Sequence, residues 1–504
     1  MYLGAFFVDG RFTLSKYSLA ILNARQWHLM GNSLLLSIGA GGGSLLIGIP
    51  SALILDRMKG WWVRFLWSIF LIPLFIPPSL HAISWTHLLG RNGPINGFLM
   101  NWLYLNEPPL PSAGVYVSIW VLSLAFHPLV TLTTLSGLRS IAPSLEEAAL
   151  LSMPAAKTLP RLTLPLVANH IVAGALLVGV FTLTDYVVPD LLQVRTYPVE
   201  LFIQFSANYD NDAAVATTVP LLILTVLTVC IIRRIIGHRP FLVISPSSAF
   251  RSSIRLRFPI WVCILILFII VGAIFVPIID FIVQAKGLEA YLKAWQTAKG
   301  QYAQSIVVGI IASVFSVGLA FLLADAIIRQ RRSGYPWLEF CCYMLFAIPA
   351  TLIGIGLIQL WNRPQTELIY SSFGIVIMAH TARFLPFLVM ILVASREAID
   401  SRLEEAFWLH HPGYLIRARK IVFPLIKPGL GIALIVGFLF SLGEVGATLL
   451  VIPPGGETLP IRIYSLLHYG ANRIVAVLGL SLIVTAVAAS MGLAFLVRRT
   501  WKSK

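Results

Sequence analysis

A chain of 504 residues that is 58% hydrophobic and only 12% charged is too apolar to fold as a soluble domain of that length. Its formal charge of +16 does not point to nucleic acid, because the basic residues sit in short segments between apolar runs rather than along one soluble face. The four cysteines, Cys230, Cys263, Cys341 and Cys342, fall inside apolar runs without CxxC spacing, which excludes a disulfide framework or a zinc site and makes them buried apolar side chains.

Met1 to Val8 carries neither a basic leader nor a small-residue cleavage site, so the later apolar segments are expected to act as insertion signals. Taken in chain order, hydropathy predicts spans near 32–55, 64–90, 114–137, 166–190 and 213–235, then near 259–283, 303–327, 336–361, 373–394, 425–447 and 474–497. Stretches of about 20 apolar residues match a helix rising about 1.5 Å per residue across about 30 Å of hydrocarbon, so these are helices and not barrel strands. The Arg- and Ser-rich segment 236–258 separates the two groups and reads as a linker between halves 1–235 and 259–504.

Lys and Arg set the orientation. One side collects 25 of the 37, among them Arg57, Lys59, the linker, Arg329, Arg331, Arg332, the segment 396–427 and the tail Arg498 to Lys504. The other side holds 11, and Arg383 falls within a span. The positive-inside rule makes the first side cytoplasmic and places the C-terminus there.

The halves repeat. LEEAALLSMPAAKTLPRLTLPLV (145–167) is matched by LEEAFWLHHPGYLIRARKIVFPLI (403–426), with the second motif of each at Pro165 and Pro424. Pro128 and Pro386 each stand 19 residues before Glu147 and Glu405, Asp185 and Glu444 each follow Pro165 and Pro424 by 20, and Ser33 to Arg57 spans 24 residues as Ser305 to Arg329 does. Six predicted spans separate the two acidic loops, so both emerge on the cytoplasmic face, and the halves are parallel repeats about an axis along the membrane normal. The first half has five predicted spans against six, lacking the counterpart of 259–283, and the start at Met1 is therefore expected to be late.

Each loop is long enough for two short helices lying across the membrane face. Glu146, Glu147, Ala148 and Ala149 in one, and Glu404, Glu405, Ala406 and Phe407 in the other, would offer a small or apolar surface to a partner's groove and pass its motion to the span that begins at Pro165 or Pro424. A single Leu-Glu-Glu-Ala is equally a solvated turn; two copies in register are what give it weight.

The segment resembles the cytoplasmic EAA loop of permeases of binding-protein-dependent ABC importers, whose pattern is E-A-A, three residues, Gly, nine residues, Ile, one residue, Leu-Pro. Glu405, Ala406, Ile421 and Pro424 keep that spacing, with Phe407, His411 and Phe423 in place of Ala, Gly and Leu. Glu147, Ala148, Ala149, Leu164 and Pro165 match in the first half, where the loop is one residue shorter and Met153 takes the place of Gly. FSANYDNDAA (205–214) and PPGGETLPIRIYSLLHYGA (453–471) are similar to stretches of fused permeases of the ferric-iron type, and thiamine and aminophosphonate permeases share the fused layout. The resemblance covers nearly the whole chain. It implies a type I ABC importer transmembrane fold in a bacterial inner membrane, two copies of a cytoplasmic ABC ATPase subunit docked on the loops, and a periplasmic substrate-binding protein on the other face. No Gly-Lys pair occurs anywhere, so a Walker A loop is absent, the chain is not itself the ATPase, and ATP and Mg are expected on the partner subunit.

Ionisable side chains inside spans invite functional readings. Asp185 and Glu444 occupy matched positions about 30 Å along their helices from Pro165 and Pro424, near the outer end of a pathway. They form either acceptors at its mouth or carboxylates bonded to a neighbouring helix or the interface. Arg383 has Ala125 as its counterpart and either binds an anionic group or neutralises a carboxylate, with pairing favoured. His127 and His380 do not superpose, so no symmetric metal site is expected and each reads as a satisfied buried imidazole. Gly41 to Gly43 reads as close helix packing, and Pro73, Pro77, Pro78 and Pro349 as kinks. The alternatives to an importer are a proton-coupled secondary transporter using Asp185 and Glu444, which the paired loops argue against, and a membrane enzyme, for which no cluster of nucleophile, base or ligands is present. Segments like 443–448 also occur in anion permeases of this family, so substrate charge stays open and selectivity is expected in the binding protein.

Overall fold

The computed structural model describes residues 7–8, 11–12, 24–57, 69–70, 72–74, 76–206, 211–236, 260–332, 337–397, 399, 402–403, 407, 413–469 and 472–502. The expected linker lies almost wholly outside them, as do Glu404, Glu405, Ala406 and His411. Apart from a two-residue antiparallel pairing of Phe7–Val8 with Arg11–Phe12, every described element is helical.

The first group comprises α1 (Ala24–Arg57), α2 (Pro78–Leu88), α3 (Pro94–Leu103), α4 (Val115–Ser140), α5 (Pro143–Ser152), α6 (Leu164–Thr184), α7 (Val187–Leu191), α8 (Tyr197–Ser206) and α9 (Asn211–Ile236). The second comprises α10 (Ile260–Gln284), α11 (Leu288–Arg332), α12 (Trp337–Met344), α13 (Ala350–Trp361), α14 (Phe373–Glu397), α15 (Phe423–Leu442), α16 (Thr448–Val451), α17 (Leu459–His468) and α18 (Asn472–Lys502). Among the described residues nine helices are long and apolar enough to cross a membrane, ten if one bent pair is counted. The protein is an all-α, polytopic membrane protein.

Two of the eleven expected spans take a different form. Over 336–361 the chain makes two helices that meet at 104°. Pro349 has no N–H to donate and disfavours helical geometry at the residue before it, and Ile348 is accordingly extended (φ −88°, ψ 118°). Within 64–90 the described residues hold no helix of spanning length, because Pro77 (ψ 133°) ends the preceding turn and Pro78 opens α2. Of the prolines expected as kinks, Pro77, Pro78 and Pro349 thus stand at helix breaks, while Pro73 lies within the helical residues 72–74. In the opposite sense α11 runs for 45 residues, about 68 Å at 1.5 Å per residue, and its first turns, with Glu289, Lys293 and Lys299 exposed, extend past the apolar stretch expected over 303–327.

Packing repeats in the same order. Helices α1, α4 and α6 pack on one another, α9 lies on α6, and α8 bridges α1 and α9; in the second group α11, α14 and α15 pack mutually, α18 lies on α15, and α17 bridges α11 and α18. This pattern is consistent with a duplicated ABC-permease fold. Ser33 and Ser305 show it at atomic detail: the Ser33 hydroxyl accepts the N–H of Tyr197 at 3.0 Å, and the Ser305 hydroxyl accepts that of Leu459 at 2.6 Å. Each N–H opens a helix with a proline next in sequence, so each serine satisfies a donor that the helix itself cannot. Ser33→Ala or Ser305→Ala is expected to cost about 1–3 kcal/mol by stranding a buried donor, and the two losses to add within about 0.5 kcal/mol because the sites share no partner. Thermal unfolding in detergent of the single and double variants measures this.

The two groups interlock. Helix α10 packs against α1 and α2, where His87 Nδ1 lies 2.7 Å from Asp280 Oδ1. Across the boundary Arg233 of α9 holds Glu339 of α12 through both oxygens, the Thr225 hydroxyl donates to Ala347 O at 2.7 Å, and the Tyr464 hydroxyl donates to Asp190.

Candidate functional site

Between the two groups lies a cleft of about 810 Å³, open mouth included, lined from α2, α4, α6, α7, α14 and α15. It brings Asp185, Arg383 and Glu444 together. Helix α6 ends at Thr184 and α15 at Leu442, so both carboxylates stand in helix breaks rather than inside spans. Asp185 accepts the N–H groups of Val187 (3.3 Å) and Val188 (3.2 Å), the unsatisfied donors that open α7. Glu444 accepts the N–H of Ala447 at 2.6 Å, just before α16.

Glu444 carries a second load. Its Oε2 lies 3.1 Å from Arg383 Nε, with the guanidinium 21% exposed to the cleft and the carboxylate 3%. Close packing fixes this geometry: a β-carbon on Gly446 would stand 3.1 Å from Arg383 Nη1, and one on Gly443 would stand 2.9 Å from Pro77 Cγ of the other group. Arg383 therefore neutralises a carboxylate, as expected, while still facing the cleft. Two carboxylates against one guanidinium leave the lining with a net negative formal charge, which favours cations.

The aromatic residues of the lining, Phe126, Phe181, Phe384, Phe387 and Phe440, were not singled out from the sequence. A signal was present. Phe181 and Phe440 each precede the matched acid by four residues, and Phe126 and Phe384 each precede the matched proline by two. Phenylalanine in an apolar run is too common to stand out without the tertiary arrangement.

At the basic end of the bundle, α5 carries the first acidic motif. Its two glutamates have opposite fates. Glu146 is buried and receives both Arg57 Nη1 (2.8 Å) and Nη2 (2.6 Å), the side chains being 2% and 1% exposed, and the Thr163 hydroxyl donates to it at 3.0 Å. One carboxylate thereby ties α5 to the end of α1 and to the π-helical turn Leu159–Thr163 that leads into α6. Glu147 and Ala148 are exposed and Ala149 is half-buried, beside the exposed Leu145 and Leu151. Pro165 and Pro424 lie in the first turns of α6 and α15.

In the second group the described part of the loop is anchored differently. Asp325 of α11 receives Arg417 at 3.0 Å and Arg396 at 3.3 Å, all three buried. His380 is bonded through both ring nitrogens, to the Ser441 and Thr448 hydroxyls, as a satisfied imidazole. His127 donates to Leu124 O through Nδ1 at 2.9 Å, while its Nε2 has no partner among the described residues. No group of three His, Cys, Asp or Glu able to hold a metal occurs among the described residues.

The helical spans, the duplicated packing and sequence similarity together support a multi-spanning, ABC-type permease subunit. No family model matches the chain. It is 23% identical over 471 residues to an Fe(3+)-transport system permease protein of Haemophilus influenzae, covering 88% of this chain and 85% of that one. It is 25% identical over 492 residues to a ferric transport system permease protein of Actinobacillus pleuropneumoniae (91% and 70%). Over 166 residues it is 27% identical to a putative 2-aminoethylphosphonate transport system permease protein of Salmonella typhimurium (33% and 62%).

Proposed function

We propose that this chain is the membrane-spanning subunit of an ATP-driven importer, two permease halves (1–235 and 259–504) in one polypeptide, translocating ferric iron delivered by a periplasmic binding protein. The clamp of Arg57, Glu146 and Thr163 carries the reading. It makes α5 a rigid extension of two spans, while its other face offers Glu147, Ala148 and Leu151 to a partner. A push on α5 from a closing pair of ATPase subunits then moves α1 and α6 together, and α6 ends at Asp185 in the cleft. Glu404, Glu405 and Ala406 would serve the second ATPase copy.

The basic face is cytoplasmic in this reading and includes Lys504. Substrate class rests on the net negative cleft and on relatives whose names specify ferric transport, both of which fit a cation. Co-purification from native membranes, followed by an ATPase assay with candidate-loaded binding proteins, tests it. The expected result is an ATPase subunit that comes down with the chain and turns over faster with the iron-loaded binding protein. Uptake that follows the proton gradient with no ATPase attached would replace this reading with a secondary transporter.

A further inference from the structure

The cleft has a floor that neither carboxylate explains. Phe181 of α6 meets two rings of the other group, Phe387 at 4.9 Å and Phe346 at 6.2 Å between centroids. From there the contacts continue without a gap: Phe126 to Phe181 at 5.6 Å, Phe346 to Phe387 at 4.7 Å, Phe387 to Phe440 at 5.1 Å and Phe384 to Phe440 at 5.3 Å. These spacings are those of rings in direct contact. The cluster crosses the boundary between the halves, which is where a pathway between them must run.

Depth orders the groups. Phe181 and Phe440 lie one helical turn before Asp185 and Glu444, about 6 Å nearer the basic end of the bundle at 1.5 Å per residue. A solute coming from the opposite end therefore meets the charged groups first and the phenyl rings next. The same positions are used in both halves, with Leu129 and Leu74 standing in register with Phe387 and Phe346 relative to their prolines.

We propose that Phe126, Phe181, Phe346, Phe384, Phe387 and Phe440 are the seal of the pathway, a dry aromatic barrier that stops hydrated ions until the helices bearing it separate. The assignment rests on the permease reading. Its physical basis is that a hydrated ion entering a constriction with no polar partner loses water and gains nothing in return, so such constrictions close by dewetting. The asymmetry of the charged cleft above and bare rings below means that the cleft can hold a cation while the seal stays shut. The Arg383 guanidinium lies 5.8 Å from the Phe384 ring centroid, which links the state of the charged pair to the edge of the seal.

The test is potassium efflux from vesicles containing the full-length chain, with neither ATPase nor binding protein added. Wild-type protein is expected to leak no faster than empty vesicles, F181A/F387A at least about ten times faster, and F181L/F387L at the wild-type rate because branched apolar side chains still exclude water. Phe440→Ala, a smaller perturbation at the side of the cluster, is expected to leak severalfold. If F181A/F387A or F440A inserts and elutes as wild type yet stays tight, the cluster is only core packing and the proposal falls; a wild-type chain that leaks freely overturns it as well. Because the efflux involves no ATPase, a failed importer assignment and a failed seal give different results.

Discussion

Glu444→Gln is expected to lower uptake by about 100-fold, the equivalent of roughly 3 kcal/mol. The amide can still accept the Ala447 N–H, but it cannot neutralise Arg383, whose Nε lies 3.1 Å from a carboxylate that is only 3% exposed. Removing one partner of such a pair costs far more than removing both, so R383Q/E444Q should regain the thermal stability that the single change loses. It should not regain uptake, because one of the two carboxylates facing the pathway is gone. Uptake assayed in cells beside unfolding in detergent separates the two effects. Wild-type uptake by the folded single variant would remove the cleft from the pathway.

The second large effect divides adjacent residues. Glu146→Gln removes the carboxylate charge that receives two hydrogen bonds from the buried Arg57 guanidinium and leaves Asp56, 3.2 Å from Nε, as its ion-pair partner, at a cost of about 3 kcal/mol. The chain is expected to insert poorly or to melt early. Glu147→Lys changes an exposed position and should alter stability by no more than about 1 kcal/mol, the scale of a surface charge interaction. Its expected consequence is loss of ATPase association and of uptake with the protein otherwise intact, and Glu405→Lys is expected to behave alike. Pull-down of the ATPase by each variant, with thermal unfolding as the control, decides the matter: normal association by both Glu147→Lys and Glu405→Lys would show that the loops are not the docking surface.

Much of the architecture was legible because membranes demand it. A bilayer leaves no water for backbone groups, so spans must be helices of a given length, and their hydropathy shows directly in the residues. Ser33 and Ser305 stand at matched positions of the expected repeat, and each hydroxyl accepts the N–H that opens a distant helix. The breaks were less legible. Pro77 and Pro349 announce that the helix changes, but whether a proline bends a helix or ends it depends on what fills the gap, and here the chain turns by 104° at Pro349.

Function divides along the same line. Composition and hydropathy determine by themselves a polytopic helical membrane protein, and the alternation of charge between spans and the doubled acidic loops lead to the expectation of two halves with a basic face, since these depend only on the order of residues along the chain. Only the tertiary structure decided that Glu146 is an internal clamp while Glu147 faces out, that Asp185 and Glu444 share one cleft with Arg383, and that Phe181 closes against Phe346 and Phe387. Such pairings join positions far apart in the chain, and a charge or a ring acquires its role from the partner that packing brings within a few ångströms, which no spacing along one helix can reveal.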